Sequence, residues 1–412
     1  MKDVIVIGGG ASGLVSAIYA TKAGAKVCLL EKNNTCGKKI LITGNGRCNY
    51  WNSDQSMNHY HTRNKEVLEK ILQKDYSKEV LSFFNSIGII PKIKEGYFYP
   101  NSNQAISIQT ALLKEAQINE VEIITNTEVI FIEKENHIFK LTTNNGIFKS
   151  KKVILATGSK AAPKTGSTGS GYDIAKFLGH SLISPLPALV QLKADAPYLK
   201  EWHGIRTDVK ISLFENNKYI DSKVGEIQLT DYGISGICTL CLSGGAALSL
   251  SKKQKTEVKI NFLHQLNIHD KNSFLNFMEA RNKAVKNRNI ADLLDGILNY
   301  KLVNLILKQS KIKREDNWDN LSNNKKYLLG DNLTNFNLTI TGTNSFDQAQ
   351  VTTGGIPLTE INPNTLESTK TKGLYLTGEL LDVDGDCGGY NLGFAWISGI
   401  IAGSNIKGED ND

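Results

Sequence analysis

Residues 3–13 read Asp-Val-Ile-Val-Ile-Gly-Gly-Gly-Ala-Ser-Gly. Val4 to Ile7 form a wholly apolar, β-branched run, which is typical of a buried parallel strand. Glycines follow at once in the spacing of a dinucleotide-binding turn. Gly8 permits the tight turn, Gly10 lets the backbone approach a pyrophosphate, and Gly13 lets the next helix pack closely on the strand. The stretch predicts a strand, a glycine turn and a helix that together bind a nucleotide.

The residues after this turn complete the dinucleotide-binding pattern. Ala11 to about Ala23 has apolar residues at steps of three and four, which predicts a helix with one apolar face. A second apolar strand, Val27 to Leu30, ends at Glu31. This acid lies 21 residues beyond Gly10, where a carboxylate can accept hydrogen bonds from a ribose diol. With a pyrophosphate on the helix N-terminus, the pattern predicts binding of an ADP-containing cofactor.

The composition is that of an ordinary globular protein. A chain of 412 residues suggests two or three domains, and hydrophobic residues make up 40% and charged residues 22% of it. The net charge of +7 is spread without a basic block, so no nucleic-acid partner is predicted. Six cysteines are too few for a disulfide framework. With no signal peptide or membrane span recognisable, a cytoplasmic location is predicted, and the residues after Lys407 are expected to be a frayed acidic tail.

The order of strand and helix patterns predicts a discontinuous first domain and an inserted second domain. Residues 1–189 and 342–412 alternate strands, glycine-rich turns and helices, as a Rossmann-type α/β domain does. Residues 190–341 have a different character and are predicted to form the inserted substrate domain. Its β part is expected at about 190–262, where short strands alternate with turns, and its helical part at about 263–341.

Two further stretches decide between NAD and FAD. Val153 to Gly158 reads as a buried strand that runs into the small-residue turn Ala156-Thr157-Gly158. Leu374 to Glu379 is a second such strand, whose terminal carboxylate suits hydrogen bonds to ribitol hydroxyls. The glycine-rich residues 382–393 suit backbone N–H groups directed at a polar ring edge. Because a simple NAD dehydrogenase does not need a second cofactor-binding strand far from its first, the longer FAD is the predicted cofactor.

These motifs resemble a bacterial flavoprotein family that includes bile-acid-inducible flavoprotein N and aminoacetone oxidase, often described as NAD(P)/FAD-dependent oxidoreductases. The resemblance covers essentially the whole chain. It implies a glutathione-reductase-like FAD domain, interrupted by an inserted β-layer or β-barrel-like and helical domain. Its most specific segments are Gly37-Lys-Lys-Ile-Leu, Gly44-Asn-Gly-Arg-Cys-Asn, Pro163-Lys-Thr-Gly-Ser-Thr-Gly and residues 382–396. Asn45 replaces the family's middle glycine before Arg47, and Asn tolerates a left-handed backbone.

The predicted cofactor-binding residues come from these motifs and from the loop after the second strand. Arg47 is expected on the pyrophosphate or near the flavin. By the resemblance, a helix that begins at Leu392, with Asn391 as its cap, is expected to direct its N-terminus at the pyrimidine end of the isoalloxazine. No catalytic acid or base and no metal ligand is predicted. The full set is Gly8, Gly10, Ala11, Ser12, Gly13, Glu31, Lys32, Lys39, Gly46, Arg47, Cys48, Ala156, Thr157, Gly158, Gly378, Glu379, Asp386, Gly389, Tyr390, Asn391 and Leu392.

The remaining cysteines and histidines are interpreted as structural. Cys36 and Cys48 are separated by eleven residues, whereas disulfide reductases of this fold use a close pair, so a dithiol mechanism is not favoured. Cys238-x-x-Cys241 has no second ligand pair, so buried packing is favoured over zinc binding. The pair His59-x-His61 lies in a polar loop and is expected at the surface.

Three functions are compatible with these residues. The first is an FAD-dependent reductase or desaturase that transfers a hydride equivalent between the flavin and an enone. The second is an amine oxidase of the aminoacetone type. The third is a non-metabolic flavin-binding redox sensor or RNA-associated flavoprotein, although the modest charge and the lack of a basic stripe weigh against RNA. The expected partners are a small-molecule substrate and, as a transient reductant, NAD(P)H, although no second complete nucleotide fingerprint is present. The first two functions are not separated, because the shape of the substrate pocket is expected to depend on the inserted domain.

Overall fold

The structure is a computed structural model that describes residues 1–285 and 287–406. The chain divides into two compact units, each with its own hydrophobic core. The first unit comprises Met1–Leu186 and Gln350–Asp412, and the second comprises Pro187–Ala349. The acidic tail predicted at the end of the chain lies outside the described residues.

The elements up to residue 188 contain the predicted strand, turn and helix at their start. The strands are β1 (Lys2–Ile7), β2 (Val27–Leu30), β3 (Trp51–Asn52), β4 (Tyr60–His61), β5 (Pro91–Lys94), β6 (Tyr97–Pro100), β7 (Glu122–Ile124), β8 (Val129–Glu135), β9 (Ile138–Thr143), β10 (Gly146–Leu155) and β11 (Ile183–Ala188). The helices are α1 (Ala11–Lys22), α2 (Lys38–Ile42), α3 (Lys65–Ile71), α4 (Ser77–Ser86), α5 (Ala105–Ile118) and α6 (Ser170–Phe177).

The main sheet of the first unit has the strand order β7-β2-β1-β10-β9-β8. Strands β7, β2, β1 and the second half of β10 run parallel. Strand β10 changes partner along its length, because residues 146–150 pair antiparallel with β9 and residues 150–155 pair parallel with β1. Val4, Ile5 and Val6 are fully buried, as the apolar character of a central parallel strand predicts.

The second unit is a closed barrel with accompanying helices. Its strands are β12 (Leu192–Ala194), β13 (Arg206–Glu215), β14 (Lys218–Leu229), β15 (Gly233–Ser235), β16 (Thr256–Asn261) and β17 (Phe336–Thr343). Its helices are α7 (Leu199–Trp202), α8 (Ile237–Ser251), α9 (Lys271–Ala284), α10 (Ile290–Asp295), α11 (Tyr300–Gln309) and α12 (Asn323–Thr334). The barrel order is β12-β15-β14-β13-β16-β17, and β17 pairs back to β12.

The predicted separation of a β part from a helical part is wrong in two places. Helix α8 lies between strands of the barrel, in the stretch predicted to be β. Strand β17 lies in the stretch predicted to be helical, although its burial alternates residue by residue from Phe336 to Ile340, the period of a half-buried strand. The predicted fold class, a Rossmann-type α/β domain with a β-barrel-like and helical insertion, is confirmed.

The chain then returns to the first unit. Its last elements are β18 (Val351–Gly355), β19 (Leu374–Leu376), β20 (Asp384–Gly385) and α13 (Tyr390–Ser404). Strand β19 joins the main sheet by pairing parallel with β10. Smaller sheets are formed by β11 with β18, by β20 with β4, and by the series β3-β6-β5. No helix in the described part of the chain is long and apolar enough to span a membrane.

Helix α13 packs along α1 at a distance that only glycine allows. A Cβ on Gly399 would lie 2.8 Å from the carbonyl oxygen of Ser12, and one on Gly403 would lie 2.5 Å from that of Ser16. The Ser398 hydroxyl of α13 accepts a hydrogen bond from the backbone N–H of Gly378 at 3.0 Å. This packing holds the end of β19 beside the N-terminus of α1, where the predicted cofactor motifs meet.

Candidate cofactor site

The three predicted glycines of the turn between β1 and α1 differ in what an added Cβ would contact. Gly8 has φ +98°, and a Cβ there would lie 2.6 Å from the carbonyl oxygen of Ala156. A Cβ on Gly13 would lie only 1.9 Å from the carbonyl oxygen of Gly8. A Cβ on Gly10, by contrast, would meet no atom within 4 Å among the described residues. The turn is therefore packed tightly below and leaves space above Gly10, where Ala11 and Ser12 begin α1.

Glu31 is buried and holds the same turn together. Its Oε2 accepts a hydrogen bond from the backbone N–H of Gly9 at 2.7 Å. Its Oε1 accepts from the backbone N–H and the side-chain amide of Asn33, at 2.8 and 2.6 Å. Since a carboxylate oxygen can accept two hydrogen bonds, Oε2 retains capacity for a ribose hydroxyl. Glu31 thus has a structural role that the sequence motif did not predict.

The turns after β10 and β19 meet the glycine turn. The N–H of Ala156 donates to the carbonyl of Ile7 at 2.9 Å, and the N–H of Thr377 donates to that of Leu155 at 3.2 Å. A Cβ on Gly378 would lie 2.6 Å from Ser12 Oγ in the first turn of α1. The carboxyl ends of β1, β10 and β19 therefore converge on one helix N-terminus, the place where ligands bind in open parallel sheets.

Glu379, at the end of β19, has one paired and one unpaired carboxylate oxygen. Oε2 is 2.6 Å from Lys39 Nζ and accepts from the Ser159 hydroxyl at 3.2 Å. Oε1 is buried and has no hydrogen-bond partner among the described residues. An unpaired buried acceptor costs about 1–3 kcal/mol, which a ligand hydroxyl would recover. The other predicted lysine, Lys32, donates to Thr168 Oγ1 at 2.8 Å.

Other buried oxygens of the first unit also lack hydrogen-bond partners among the described residues. Two of them lie in the segments of the predicted site: Thr157 Oγ1, in the turn after β10, and Asp384 Oδ1, in β20. Burial raises the pKa of the Asp384 carboxyl to about 7, and the neighbouring Asp382 acts in the same direction. Asp382 is itself buried and ion-paired, since it accepts from Arg63 Nη1 at 2.7 Å and from the Arg63 N–H at 2.9 Å.

Two histidines that the sequence analysis placed at the surface hold the predicted site residue Asp386. His59 Nδ1 lies 3.2 Å from Asp386 Oδ2, and His61 Nε2 lies 3.2 Å from Asp386 Oδ1. On its other side, His59 Nε2 is 3.1 Å from Asp54 Oδ2. The His59 ring stacks on Tyr390, with centroids 4.4 Å apart. Both histidine side chains are partly exposed, which agrees with the predicted surface position. The prediction did not include their contact with Asp386, for which the His-x-His spacing was the available signal, since it places two side chains on one side of an extended segment.

The predicted helix start at Leu392 is also wrong. Helix α13 begins at Tyr390, and its N-cap is Gly389 with φ +96° and no side-chain cap. Asn391 lies inside the first turn, where its amide exchanges two hydrogen bonds of 2.8 Å with the backbone of Gly385. A Cβ on Gly389 would lie 2.7 Å from the carbonyl oxygen of Trp51, so this glycine is also required by packing.

The loop that contains Arg47 lies outside the converging turns. Gly46 and Arg47 are exposed, and Arg47 Nε donates to the carbonyl of Gly44 at 3.2 Å. Asn45 has φ +54°, the left-handed backbone that its residue type tolerates. Cys48 is buried, and burial raises its pKa to about 12. Burial raises the pKa of Cys36 equally, so neither thiol supplies a thiolate near neutral pH.

Similarity to known proteins identifies the family. Residues 2–405 match the family described as HI0933-like protein Rossmann domain. The chain belongs to this family. It is 38% identical over 98% of both chains to the 3-dehydro-bile acid delta(4,6)-reductase of Clostridium scindens, and 30% identical over 98% of both chains to the ribosomal RNA dihydrouridine synthase of Haemophilus influenzae. A 3-ketosteroid-delta4-(5alpha)-dehydrogenase from Rhodococcus jostii has a TM-score of 0.49 at 14% identity, with 98% of this chain and 96% of that chain covered.

Membership of the HI0933-like family makes this protein a flavin-dependent oxidoreductase, which confirms the predicted family and enzyme class. The observed groups fit a flavin cofactor in three respects. Space is open above Gly10, Glu31 Oε2 keeps acceptor capacity, and Glu379 Oε1 is buried without a partner. The individual assignments of cofactor-binding residues stay predictions.

Proposed function

We propose that the protein binds FAD and reduces a carbon–carbon double bond conjugated to a carbonyl group. The observation that carries the FAD assignment is the unpaired Glu379 Oε1. It lies where the carboxyl ends of β1, β10 and β19 converge, which is also where space is open above Gly10. Glu31 would bind the ribose of the adenosine and Glu379 the ribitol. FMN has no adenosine, so it would leave Glu31 without a ligand.

The two curated relatives support the reaction class. One is named for reduction at the delta(4,6) position of a 3-dehydro-bile acid, which places the reduced bonds in conjugation with a ketone. The other is named for making dihydrouridine in ribosomal RNA, and uracil also has a carbon–carbon double bond conjugated to a carbonyl. The enone reductase is the first candidate, by its higher identity, and the formation of dihydrouridine is the second.

The cofactor supplies the redox chemistry. FAD held by Glu31 and Glu379 would supply the transfer of a hydride equivalent from a reductant such as NAD(P)H to one carbon of the double bond, and the other carbon would take a proton. A side chain of the protein must hold that proton and donate it to the carbon. The cluster of His59, His61 and Asp386 suits this task, because its histidines are partly exposed to solvent and its carboxylate is buried.

The cofactor is tested first. The purified protein is denatured and the released flavin is separated by chromatography. We expect FAD, and release of FMN alone would contradict the assignment of Glu31.

The reaction is then tested anaerobically by flavin absorbance. We expect NADH or NADPH to bleach the flavin and a 3-oxo-4-ene steroid, or a uridine-containing RNA, to restore its colour. Recovery of the reduced product by mass spectrometry completes the test. A flavin that neither substrate reoxidises would refute the proposed reaction.

The same assay tests the other functions predicted from the sequence. Bleaching of the flavin by a small amine, followed by reoxidation with oxygen, would support the amine oxidase. A flavin that cycles between redox states without converting any of these compounds would support the redox sensor.

A further inference from the structure

Two short segments of the first unit place three bases opposite three acids. Strand β20 pairs antiparallel with β4, so that Asp384 lies opposite His61. Directly opposed residues point to the same side of a pair of strands, and alternate residues of an extended segment share that side. We call the residues on this side the acid–base ladder, and each opposed pair a rung. The rungs are His59 with Asp386, His61 with Asp384, and Arg63 with Asp382.

The two outer rungs of the ladder are closed by direct contacts. Arg63 Nη1 lies 2.7 Å from Asp382 Oδ1, and His59 Nδ1 lies 3.2 Å from Asp386 Oδ2. His61 Nε2 is also 3.2 Å from Asp386 Oδ1. All three acids are buried, whereas the three bases are partly exposed. Protons from solvent therefore reach the bases directly, and the bases lie between solvent and the acids.

The acid of the middle rung, Asp384, differs from the other two. Its Oδ1 is buried and has no hydrogen-bond partner among the described residues, so the charged form of the carboxyl is costly. Burial raises the pKa of Asp384 to about 7, an effect that Asp382 strengthens and that His61 and Arg63 oppose. Asp384 thus exchanges its proton in the pH range in which histidine side chains do so, and it lies opposite a histidine.

The other elements around β20 add no charge to this rung near neutral pH. Strand β18, from which Thr353 faces the Asp384 carboxyl, contains no ionisable residue. The only ionisable residue of α13 is Tyr390, whose ring stacks on His59, and tyrosine is uncharged near neutral pH. Tyr172 of α6 is uncharged as well, since burial raises its pKa. The charge on Asp384 therefore responds to the other members of the ladder.

We propose that Asp384 and His61 share one proton, and that Asp384 is a positioning residue that keeps His61 protonated for donation to the substrate. Once Asp384 has lost its own proton, its carboxylate favours the charged form of the neighbouring imidazole. His61 would release its proton as the new C–H bond forms and regain one from solvent, while the hydride equivalent comes from NAD(P)H through the flavin. The inference rests on the proposed function, whose proton it assigns to the middle rung.

The test is a titration of the histidine side chains in the flavin-loaded full-length protein. NMR follows the imidazole signals between about pH 5 and pH 9, and His61→Gln assigns the signal of His61. In wild type, His61 should titrate in two steps, because two coupled groups release their protons at two apparent pKa values. In Asp384→Asn, whose side chain carries no charge, His61 should titrate in one step. Its midpoint should lie about one pH unit below the upper step of wild type.

Two further variants test the pair from other sides. Asp54→Asn is the matched control, because Asp54 Oδ2 lies 3.1 Å from His59 Nε2, outside the ladder. It should move the titration of His59 and leave the two steps of His61 in place. In His61→Gln, which lacks the imidazole, the Asp384 carboxyl should titrate at a higher pH than in wild type, as NMR of labelled aspartate would show. Melting temperature and flavin content check that every variant is folded.

The reoxidation of the flavin by a 3-oxo-4-ene steroid gives a kinetic readout. Above about pH 7, Asp384→Asn should reoxidise up to about tenfold more slowly than wild type, since one pH unit is a tenfold change in protonation. Bleaching of the flavin by NADPH, which takes no proton from His61, should proceed at the wild-type rate. A one-step titration of His61 in wild type, or the same pH profile of reoxidation in Asp384→Asn and wild type, would overturn the inference.

The titration needs no substrate, so it separates failure of this inference from failure of the proposed function. If His61 titrates in two steps and wild type reduces neither the steroid nor uridine, only the proposed reaction is refuted. If wild type reduces the steroid and His61 titrates in one step, only the shared proton is refuted.

Discussion

Two neighbouring parts of the first unit differ in how their polar groups are satisfied. In the turn between β1 and α1, the Glu31 carboxylate accepts hydrogen bonds from Gly9 and Asn33. The backbone is packed so closely at Gly8 and Gly13 that a Cβ would clash with a carbonyl oxygen. Around β19 and β20, Glu379 Oε1 and Asp384 Oδ1 are buried without partners among the described residues. The chain itself supplies a partner for each Glu31 oxygen in the first part, whereas the second part has buried oxygens for which only a bound group would supply a partner.

The largest expected effect separates two glycines of the same turn. Gly13→Ala places a Cβ 1.9 Å from a backbone oxygen, so we expect the free energy of unfolding to fall by more than about 3 kcal/mol. Gly10→Ala meets no protein atom within 4 Å and has a compatible φ of −77°. It should cost at most about 1 kcal/mol as an N-cap change and should instead weaken FAD binding.

Urea unfolding of the cofactor-free proteins and FAD titration measure the two effects. Equal loss of stability in Gly10→Ala and Gly13→Ala would show that close packing is not what distinguishes these positions.

The second prediction concerns the carboxyl of Asp384, whose buried Oδ1 has no hydrogen-bond partner among the described residues. Its pKa in the folded protein is about 7, above the usual value of 3.8, so the folded state binds the proton more tightly than the unfolded state does. The contribution of this carboxyl to the stability of wild type should therefore be greatest below about pH 4 and fall as the pH rises to about 7. Asp384→Asn has no such loss, so its stability relative to wild type should rise over this range by up to about 4 kcal/mol.

Urea unfolding between pH 4 and pH 8 measures this difference. Asp208→Asn, which alters an exposed carboxyl on the barrel, serves as the control. If the difference in free energy of unfolding between Asp384→Asn and wild type does not change with pH, the prediction is contradicted.

The third prediction tests the unpaired oxygen of Glu379. Glu379→Gln keeps the size of the side chain but removes the charge that pairs with Lys39 and one acceptor for the ligand. FAD binding should weaken by about 1.5–3 kcal/mol, the value of a hydrogen bond to a charged group. Glu128→Gln, an exposed acid 3.9 Å from Lys32, should bind FAD like wild type. Calorimetric titration with FAD measures both, and unchanged binding by Glu379→Gln would remove the ribitol assignment.

The smallest expected effect concerns the start of α13. Asn391→Ala removes two hydrogen bonds of 2.8 Å to Gly385, so the free energy of unfolding should fall by about 1–2 kcal/mol. Because Gly385 follows Asp384, the loosened strand should also admit water to that carboxyl and lower its pKa. Urea unfolding of the variant at two pH values tests both statements, and a stability equal to that of wild type would show that the β20 segment is held by other contacts.

The elements that sequence reasoning found share a local signal. Val4–Ile7, the glycines at positions 8, 10 and 13, and the helix after them are read from neighbouring residues, and the structure reproduces them. Strand β17 also has a local signal, an alternation of apolar and polar residues, but the surrounding helical stretch obscured it. The start of α13 was missed because the left-handed backbone of Gly389 caps the helix two residues earlier than the asparagine suggested.

The amino-acid sequence by itself determined the family, the fold class and the nucleotide-binding turn, because these depend on residue spacing within one strand, turn or helix. Only the tertiary structure decided which groups meet across the chain. It joined Lys39 to Glu379, His59 and His61 to Asp386, and Arg47 to Tyr99 of β6. These pairs are separated by tens to hundreds of residues, and their contacts are created by the packing of whole elements, which no local pattern records.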